Sequence, residues 1–600
     1  LTELHSADRV GSDPLNQANE FARMAAQAQR IVSDFIARQQ QQGLVGPQGP
    51  FDIGHEFAEM TQKMMADPGR MLQAQMGLWE GYINLWQYTA RRMKGDERGE
   101  PIATPDPGDR RFHAPEWSEN HYFDFIKQSY LLTSEWFLST VKNTEGLDDK
   151  SAQKLAFYTR QFVDALSPTN FALTNPTVLR ETLDSGGANL LQGLRNLLDD
   201  LERGGGSSLK IPMSNEDDFT VGEDLAITPG KVIYQNDLIQ LIQYAPGSKT
   251  VYRRPLLVIA PWINKFYVLD LKPENSLIRW AVEKGYTVFA ISWVNPDERL
   301  SHKNFTDYMQ EGPLAALAAI EQATGEKQVA AVGYCLGGTL LSATLAYMAA
   351  TGDKRIVSAT FLATLVDFSE PGELGIFIDE EQLASLEESM RERGYHDGGE
   401  MAATFNLLRA NDLIWSFVIN NYLMGRKPFP FDLLYWNADS TRLPAEMHSF
   451  YLRNMYQDNA LARPGGITLA GVPIDLGKIA VPTYVLAAHD DHIAPWQACF
   501  KATGLYGGDI RFVLGQSGHI AGVVNPPAKN KYSYWTEKLT AGDSAEDWLA
   551  GAARHDGSWW NDWHRWQSRR AGKKVAAREP GAGKLDIIED APGSYVKVRT

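Results

Sequence analysis

Residues 328–352 carry no charged side chain, and glycines cut this stretch in two. Residues 328–334 form an apolar run of strand length, and a small-residue segment of helical length follows. A membrane span needs about 20 unbroken apolar residues, whereas Gly333, Gly337 and Gly338 interrupt this one. The stretch therefore reads as a buried strand that turns sharply into a buried helix. Cys335 stands at the corner, within Val332-Gly333-Tyr334-Cys335-Leu336-Gly337-Gly338. Glycine at 333 and 337 leaves room for a turn that lifts the side chain at 335 clear of the sheet. The N–H groups and positive dipole end of the following helix favour thiolate over thiol there. A thiolate exchanges acyl groups with a thioester at little cost in free energy, so an acyl-CoA is a natural donor.

The rest of the composition narrows the setting. Six hundred residues is too long for one compact core and predicts two or more domains. The net charge of -16, with no large basic block, argues against nucleic acid as the main partner. Two cysteines, Cys335 and Cys499, provide no disulfide framework and point to a reducing compartment. Residues 1–40 are polar and of mixed charge, without the apolar core of a secretory signal, so a cytoplasmic location is expected.

Texture changes along the chain. Residues 25–42 are rich in Gln and Ala, and Met71, Met76, Trp79, Ile83 and Trp86 make an apolar stripe at helical spacing. Pro101, Pro105, Pro107 and Pro115 mark a linker or extended wrap, a second helical block covers 123–202, and Gly204-Gly205-Gly206-Ser207-Ser208 breaks it. Beyond residue 221, strand-length apolar runs at 255–262, 286–293, 328–334, 356–366, 482–488 and 510–514 alternate with helical pieces such as 276–284 and 313–323. Such alternation indicates a parallel sheet covered on both faces. The expected architecture is an α/β-hydrolase fold, a mostly parallel sheet flanked by helices, over 219–600. A mainly helical domain over 1–218 precedes it, with residues 1–115 amphipathic and partly disordered. Between 367 and about 441 the alternation stops in favour of a helical, aromatic insert with Trp415, Phe417, Tyr422, Phe429, Phe431, Tyr435 and Trp436. Its position after the strand that follows the nucleophile helix is where such folds carry a cap.

A thiol nucleophile needs a base, and the base needs an orienting group. In this fold the chain order is nucleophile, acid, histidine. Downstream of Cys335 come Ala488-His489-Asp490-Asp491-His492-Ile493-Ala494-Pro495-Trp496 and then Gly515-Gln516-Ser517-Gly518-His519, each at a predicted strand end. His519 lies 28 residues beyond Asp491, room for one helix and one strand. Both side chains then reach the carboxyl edge of the sheet, where ligands bind in open α/β folds. The pattern fits a Cys335–His519–Asp491 triad. Asp490 is the alternative acid, since neighbours at a strand end point to opposite sides. His489 and His492 lack the partner set of a metal site, so no metal is expected. His492 is placed beside the site instead, and Cys499 is read as a small buried residue. The oxyanion donors are expected to be the backbone N–H of Leu336 and that of Trp262 or Ile263.

Together these residues resemble the polyhydroxyalkanoate synthases, class I in particular. The matching pieces are Gly333-Tyr334-Cys335-Leu336-Gly337-Gly338, Asp491-His492-Ile493-Ala494-Pro495-Trp496 and Gly518-His519-Ile520-Ala521-Gly522-Val523-Val524-Asn525-Pro526-Pro527. Pro261-Trp262-Ile263-Asn264-Lys265-Phe266, Ile291-Ser292-Trp293-Val294-Asn295-Pro296-Asp297, Gly557-Ser558-Trp559-Trp560 and Ala591-Pro592-Gly593-Ser594-Tyr595-Val596 add to the likeness. It runs from about residue 115 to the end, and the first hundred residues are variable in that family. The resemblance implies polymerisation of (R)-3-hydroxyacyl-CoA, with short side chains preferred, releasing CoA and retaining a polyester. It implies Cys335 as the acylated nucleophile, His519 as its base and Asp491 as the residue that assists His519 or activates the incoming hydroxyl. His492, Ala521 and Asn264 are expected near the substrate. A homodimer, association with polyester granules and their phasin-type proteins, and no cofactor beyond the CoA carried by the substrate are further implications. A Cys-dependent thioesterase or lactone hydrolase is the rival enzyme, and a non-catalytic granule protein the rival of another class.

Overall fold

The computed structural model describes residues 60–63, 68–96, 99–203, 211–540 and 542–599. The expectations for 25–42 and 204–208 lie outside the described residues. The chain divides into two compact units, one running to Met213 and taking in Arg409–Phe429, the other comprising Ser214–Leu408 and the chain from Pro430 onward.

The first unit is helical: α1 (Pro68–Met93), α2 (His121–Lys142), α3 (Asp149–Ala165), α4 (Pro176–Asp184) and α5 (Ala188–Arg203). Asn120, Asp148 and Asn175 cap α2, α3 and α4 by accepting two backbone N–H groups each, which satisfies donors the helices leave unpaired. Arg111 bridges to Asp164 at 2.9 Å. Leu72, Met76, Trp79, Ile83 and Trp86 recur at intervals of four and three along α1 and are more than half exposed. Segment 409–429 is held by α5: Tyr422 donates to Asp200 at 2.8 Å, and Asn189 and Asn196 donate to the carbonyls of Leu423 and Asn421, each at 2.9 Å. Gly193 lets the two backbones touch, since a Cβ there would fall 1.8 Å from the Tyr422 carbonyl oxygen. The aromatic insert expected as one cap over 367–441 is thus divided between the units. Its polar backbone at 421–423 finds amide partners on α5, and a hydrophobicity pattern does not register that.

The second unit is built on an eleven-stranded sheet. Its strands are β1 (Gly230–Gln235), β2 (Ile239–Tyr244), β3 (Leu256–Ile259), β4 (Val288–Trp293), β5 (Val329–Tyr334), β6 (Ile356–Leu362), β7 (Thr483–Ala488), β8 (Ile510–Gly515), β9 (Ser533–Thr536), β10 (Ala553–Asp556) and β11 (Glu589–Asp590). The spatial order is β10-β9-β8-β7-β6-β5-β3-β4-β2-β1-β11. The central run from β8 to β4 is parallel, and antiparallel strands extend it on both sides. Alternate residues feed two cores, as period-two geometry requires. Leu257, Ile259, Phe289, Ile291, Phe361 and Val485 face one with Leu340 and Leu341 of α6 (Leu336–Thr351). Leu256, Val258, Val288, Val332, Tyr484 and Leu486 face the other with Trp559 and with Trp560, Trp563 and Trp566 of α7 (Trp560–Ser568). The charge-free stretch 328–352 is β5 and α6, and no helix among the described residues is long and apolar enough to cross a membrane. From β3 the chain steps to β4 on one side and later to β5 on the other, so the order reverses between β3 and β5. Their carboxyl ends flank the crevice where this class of sheet binds ligands.

Candidate active site

Cys335 follows β5 directly and precedes α6, with φ 52° and ψ -123°. Positive φ is uncommon in a non-glycine residue and marks strain held by its surroundings. The surroundings here are close backbone contacts. A Cβ on Gly333 would lie 2.5 Å from the Gly338 Cα, and one on Gly337 would lie 2.1 Å from the Ile259 carbonyl oxygen. The Cys335 N–H donates to the Leu362 carbonyl on β6 at 2.9 Å, and its own carbonyl accepts from Gly338 at 2.9 Å. The corner is therefore locked between the ends of β3 and β6, with Cys335 as a residue partly exposed.

His519 lies in the loop after β8, and its Nδ1 is 2.7 Å from Asp491 Oδ2. The other Asp491 oxygen accepts from the N–H groups of Ile493 and Ala494 at 2.8 and 2.9 Å, which fixes the carboxylate. Both side chains are buried. Asp490 turns outward to pair with His489 at 2.7 Å, so Asp491 faces the imidazole. Burial lowers the proton affinity of His519, but the Asp491 charge and the Cys335 sulfur outweigh it and raise the ring to about 10. Cys335 acts on the ring both through its charge and as a hydrogen-bond partner.

Tyr334 supports this geometry. Its ring stacks on His519 with centroids 5.4 Å apart, and its hydroxyl donates to the His519 carbonyl at 3.2 Å. Trp559 and Trp560 donate indole N–H bonds, each 2.9 Å, to the carbonyls of Gly522 and Val523 in the same loop. Tyr451 and Tyr456, in the helical run after the insert, also sense Cys335: burial first holds both phenols protonated, and the nearby sulfur adds to it, next after burial for Tyr456 and after the Tyr456 phenol for Tyr451. Their rings lie 5.6 Å apart, and Phe368 packs on both. Sequence reasoning assigned no role to these aromatics, because a tyrosine on a buried helix looks like any other core residue.

Leu336 is the first residue of α6, next to the nucleophile. The loop after β3 abuts the same helix start, since Gly337 meets the carbonyls of Ile259 and Ala260. Trp262 is buried, its ring packed against Trp293 and Tyr308 and its carbonyl accepting from Thr441 at 2.7 Å. Ile263 is partly exposed. The Asn264 backbone bridges to Ser440. His492 and Ala521 are partly exposed, one residue past Asp491 and two past His519. Cys499 is fully buried, which pushes its thiol up. Among the described residues no group of three or more His, Cys, Asp or Glu is placed to hold a metal.

The chain is similar to known proteins. The family described as poly-beta-hydroxybutyrate polymerase (PhaC) N-terminus matches residues 108–281, and the alpha/beta hydrolase fold family matches 262–526. The chain is 50% identical to a poly(3-hydroxyalkanoate) polymerase of Methylorubrum extorquens, over 93% of each chain. It is 48% identical to the poly(3-hydroxyalkanoate) polymerase subunit PhaC of Rhizobium meliloti, covering 98% of this chain and 96% of that one. Against the subunit of the same name from Rhizobium etli the identity is 46%, covering 98% and 93%. A sheet reversed at a thiol corner, with an aspartate-bound imidazole on its carboxyl edge, is thus carried by a chain that belongs to the poly(3-hydroxyalkanoate) polymerase family of acyltransferases.

Proposed function

We propose that the chain polymerises (R)-3-hydroxyacyl-CoA, with short side chains preferred, through a covalent acyl-Cys335 intermediate. The Cys335 sulfur attacks the thioester carbonyl, His519 takes the thiol proton, and CoA leaves as a thiol after receiving a proton from the imidazolium. The hydroxyl of a second acyl unit then attacks the acyl-cysteine. His519 accepts the hydroxyl proton, an oxygen ester forms, and the Cys335 sulfur is released. An oxygen ester is more stable than the thioester it replaces, which drives chain growth. The observation that carries this reading is the buried Asp491–His519 pair, in which the Asp491 charge and then the Cys335 sulfur raise the proton affinity of the ring against burial. Asp491 orients the imidazole and stabilises its charge. The N–H groups of Leu336 and of Trp262 or Ile263 hold the oxyanion, and the aromatic side chains of Phe368, Tyr451 and Tyr456 keep water from the acyl-enzyme.

Incubation with 3-hydroxybutyryl-CoA tests the reading. A polymerase yields CoA and insoluble polyester, and Cys335→Ala abolishes both; release of free 3-hydroxybutyrate instead identifies a thioesterase. The same reading places the protein in the cytoplasm, at the surface of polyester granules and their phasin-type proteins, as a homodimer without a bound cofactor. The exposed apolar row on α1 supports contact with an apolar phase. Sedimentation velocity of the full chain checks the dimer, and co-sedimentation with polyester particles checks the surface association.

A further inference from the structure

Five contacts from one segment converge on the loop that leaves β3. Trp436 donates its indole N–H to the Lys265 carbonyl at 2.7 Å. The Lys265 ammonium meets one oxygen of Asp439 at 2.5 Å, and the Tyr267 hydroxyl donates to the other at 2.9 Å. Asn264 pairs with Ser440 in an antiparallel backbone bridge, and the Thr441 hydroxyl donates to the Trp262 carbonyl at 2.7 Å. The Lys265 and Asp439 side chains are only 3% and 4% exposed.

A buried ion pair adds little net stability over an apolar pair of the same size, because both charges lose water. It does impose one geometry, since each charge is satisfied only where the other sits. The loop bearing the second oxyanion donor needs such external fixing. Its N–H must point at substrate, so its own chain cannot use that donor to brace the turn. We propose that Asp439, acting through Lys265, Tyr267 and the neighbouring bonds of 436–441, is a positioning residue that holds the 262–265 loop in its oxyanion-binding shape. This inference rests on the proposed acylation of Cys335.

The test compares two reactions of one sulfur. Turnover of 3-hydroxybutyryl-CoA builds an oxyanion, whereas alkylation of Cys335 by iodoacetamide displaces iodide at a saturated carbon and builds none. Cys499 is buried, so alkylation reports Cys335. In Asp439→Asn, kcat is expected to fall 10- to 100-fold with KM within twofold and the alkylation rate within twofold. Thr441→Val, which removes a single bond to the Trp262 carbonyl, is expected to lower kcat about fivefold with the same signature, and it serves if Asp439→Asn fails to fold. An unchanged kcat in both variants overturns the inference, as does alkylation falling in step with kcat. Thioester turnover that survives Cys335→Ala defeats the underlying reading instead, so the two failures are distinct.

Discussion

Replacing Asp491 by Asn leaves the shape of the site nearly intact and removes one charge. The Asn oxygen still accepts from Ile493 and Ala494, so the loop keeps its two backbone bonds. The amide N–H then faces His519 Nδ1, which favours the tautomer protonated at Nε2, the nitrogen that must receive the thiol proton. In the native protein His519 holds its proton to about pH 10 rather than 6.5. That difference corresponds to about 5 kcal/mol of added proton affinity, shared between the Asp491 carboxylate and the Cys335 sulfur. Losing half of it forfeits about 2.5 kcal/mol from any state containing the imidazolium, or about 100-fold in acylation rate. Loss of thioester absorbance in a single turnover measures this directly. The limb of the pH–rate profile set by His519 should move to lower pH, because without the Asp491 charge the buried ring gives up its proton more readily. Stability carries the same signature. The native state binds the His519 proton more tightly than the unfolded chain does, so this contribution is complete below about pH 6.5 and is lost as pH rises through 10. The difference in Tm between the native protein and the variant should therefore be largest near pH 6 and vanish near pH 10. An acylation rate within threefold of native with an unmoved pH profile would refute the role given to Asp491.

Three further outcomes are expected. Burial raises Asp270 to about 7, so the native state retains a proton that the unfolded chain has released, and stability falls as pH climbs from 4 to 7. Asp270→Asn should remove about 3 kcal/mol of that loss between pH 5 and 8 in urea unfolding; equal slopes in the two proteins would contradict it. Gly337→Ala drives a methyl group into the Ile259 carbonyl and should cost more than about 3 kcal/mol, seen as a Tm drop of many degrees or loss of folded protein; a native-like Tm would show that the corner can yield. Trp559→Phe leaves the Gly522 carbonyl without its indole donor, at about 1–2 kcal/mol, and should lower kcat severalfold with KM unchanged; native kinetics would separate this tryptophan from the placement of His519.

The parallel strands were legible because each is a short apolar run between glycines and helical segments; β3 to β7 fall within such runs, and β8 overruns its run by one residue. The outer antiparallel strands were not. β1 and β10 mix charged and polar residues with exposed positions, so their pairing is decided by neighbours distant in sequence rather than by their own pattern. The thiol corner was visible through its glycines, and their reason is now concrete, since a Cβ would meet backbone at Gly333 and Gly337 and the Thr364 side chain at Gly338. Residue order alone left Asp490 and Asp491 as alternatives; the turn that lets Asp491 accept from Ile493 and Ala494 is what points it inward. Lys265 and Asp439 lie 174 residues apart and carry no local signal, so a buried pair of this kind emerges only once the fold brings the segments together.

The path of segment 409–429 limits how the protein can be taken apart. The chain leaves the sheet-bearing unit after Leu408, runs among the helices, and returns at Pro430, nine residues before Asp439. Removing everything up to Met213 would delete Asp200, Asn189 and Asn196, stranding Tyr422 and the carbonyls of 421 and 423 without the groups that now satisfy them. A shortened enzyme of this type is then compromised by the loop it keeps as much as by the helices it loses. Excising 409–429 along with the amino-terminal residues is the cleaner dissection.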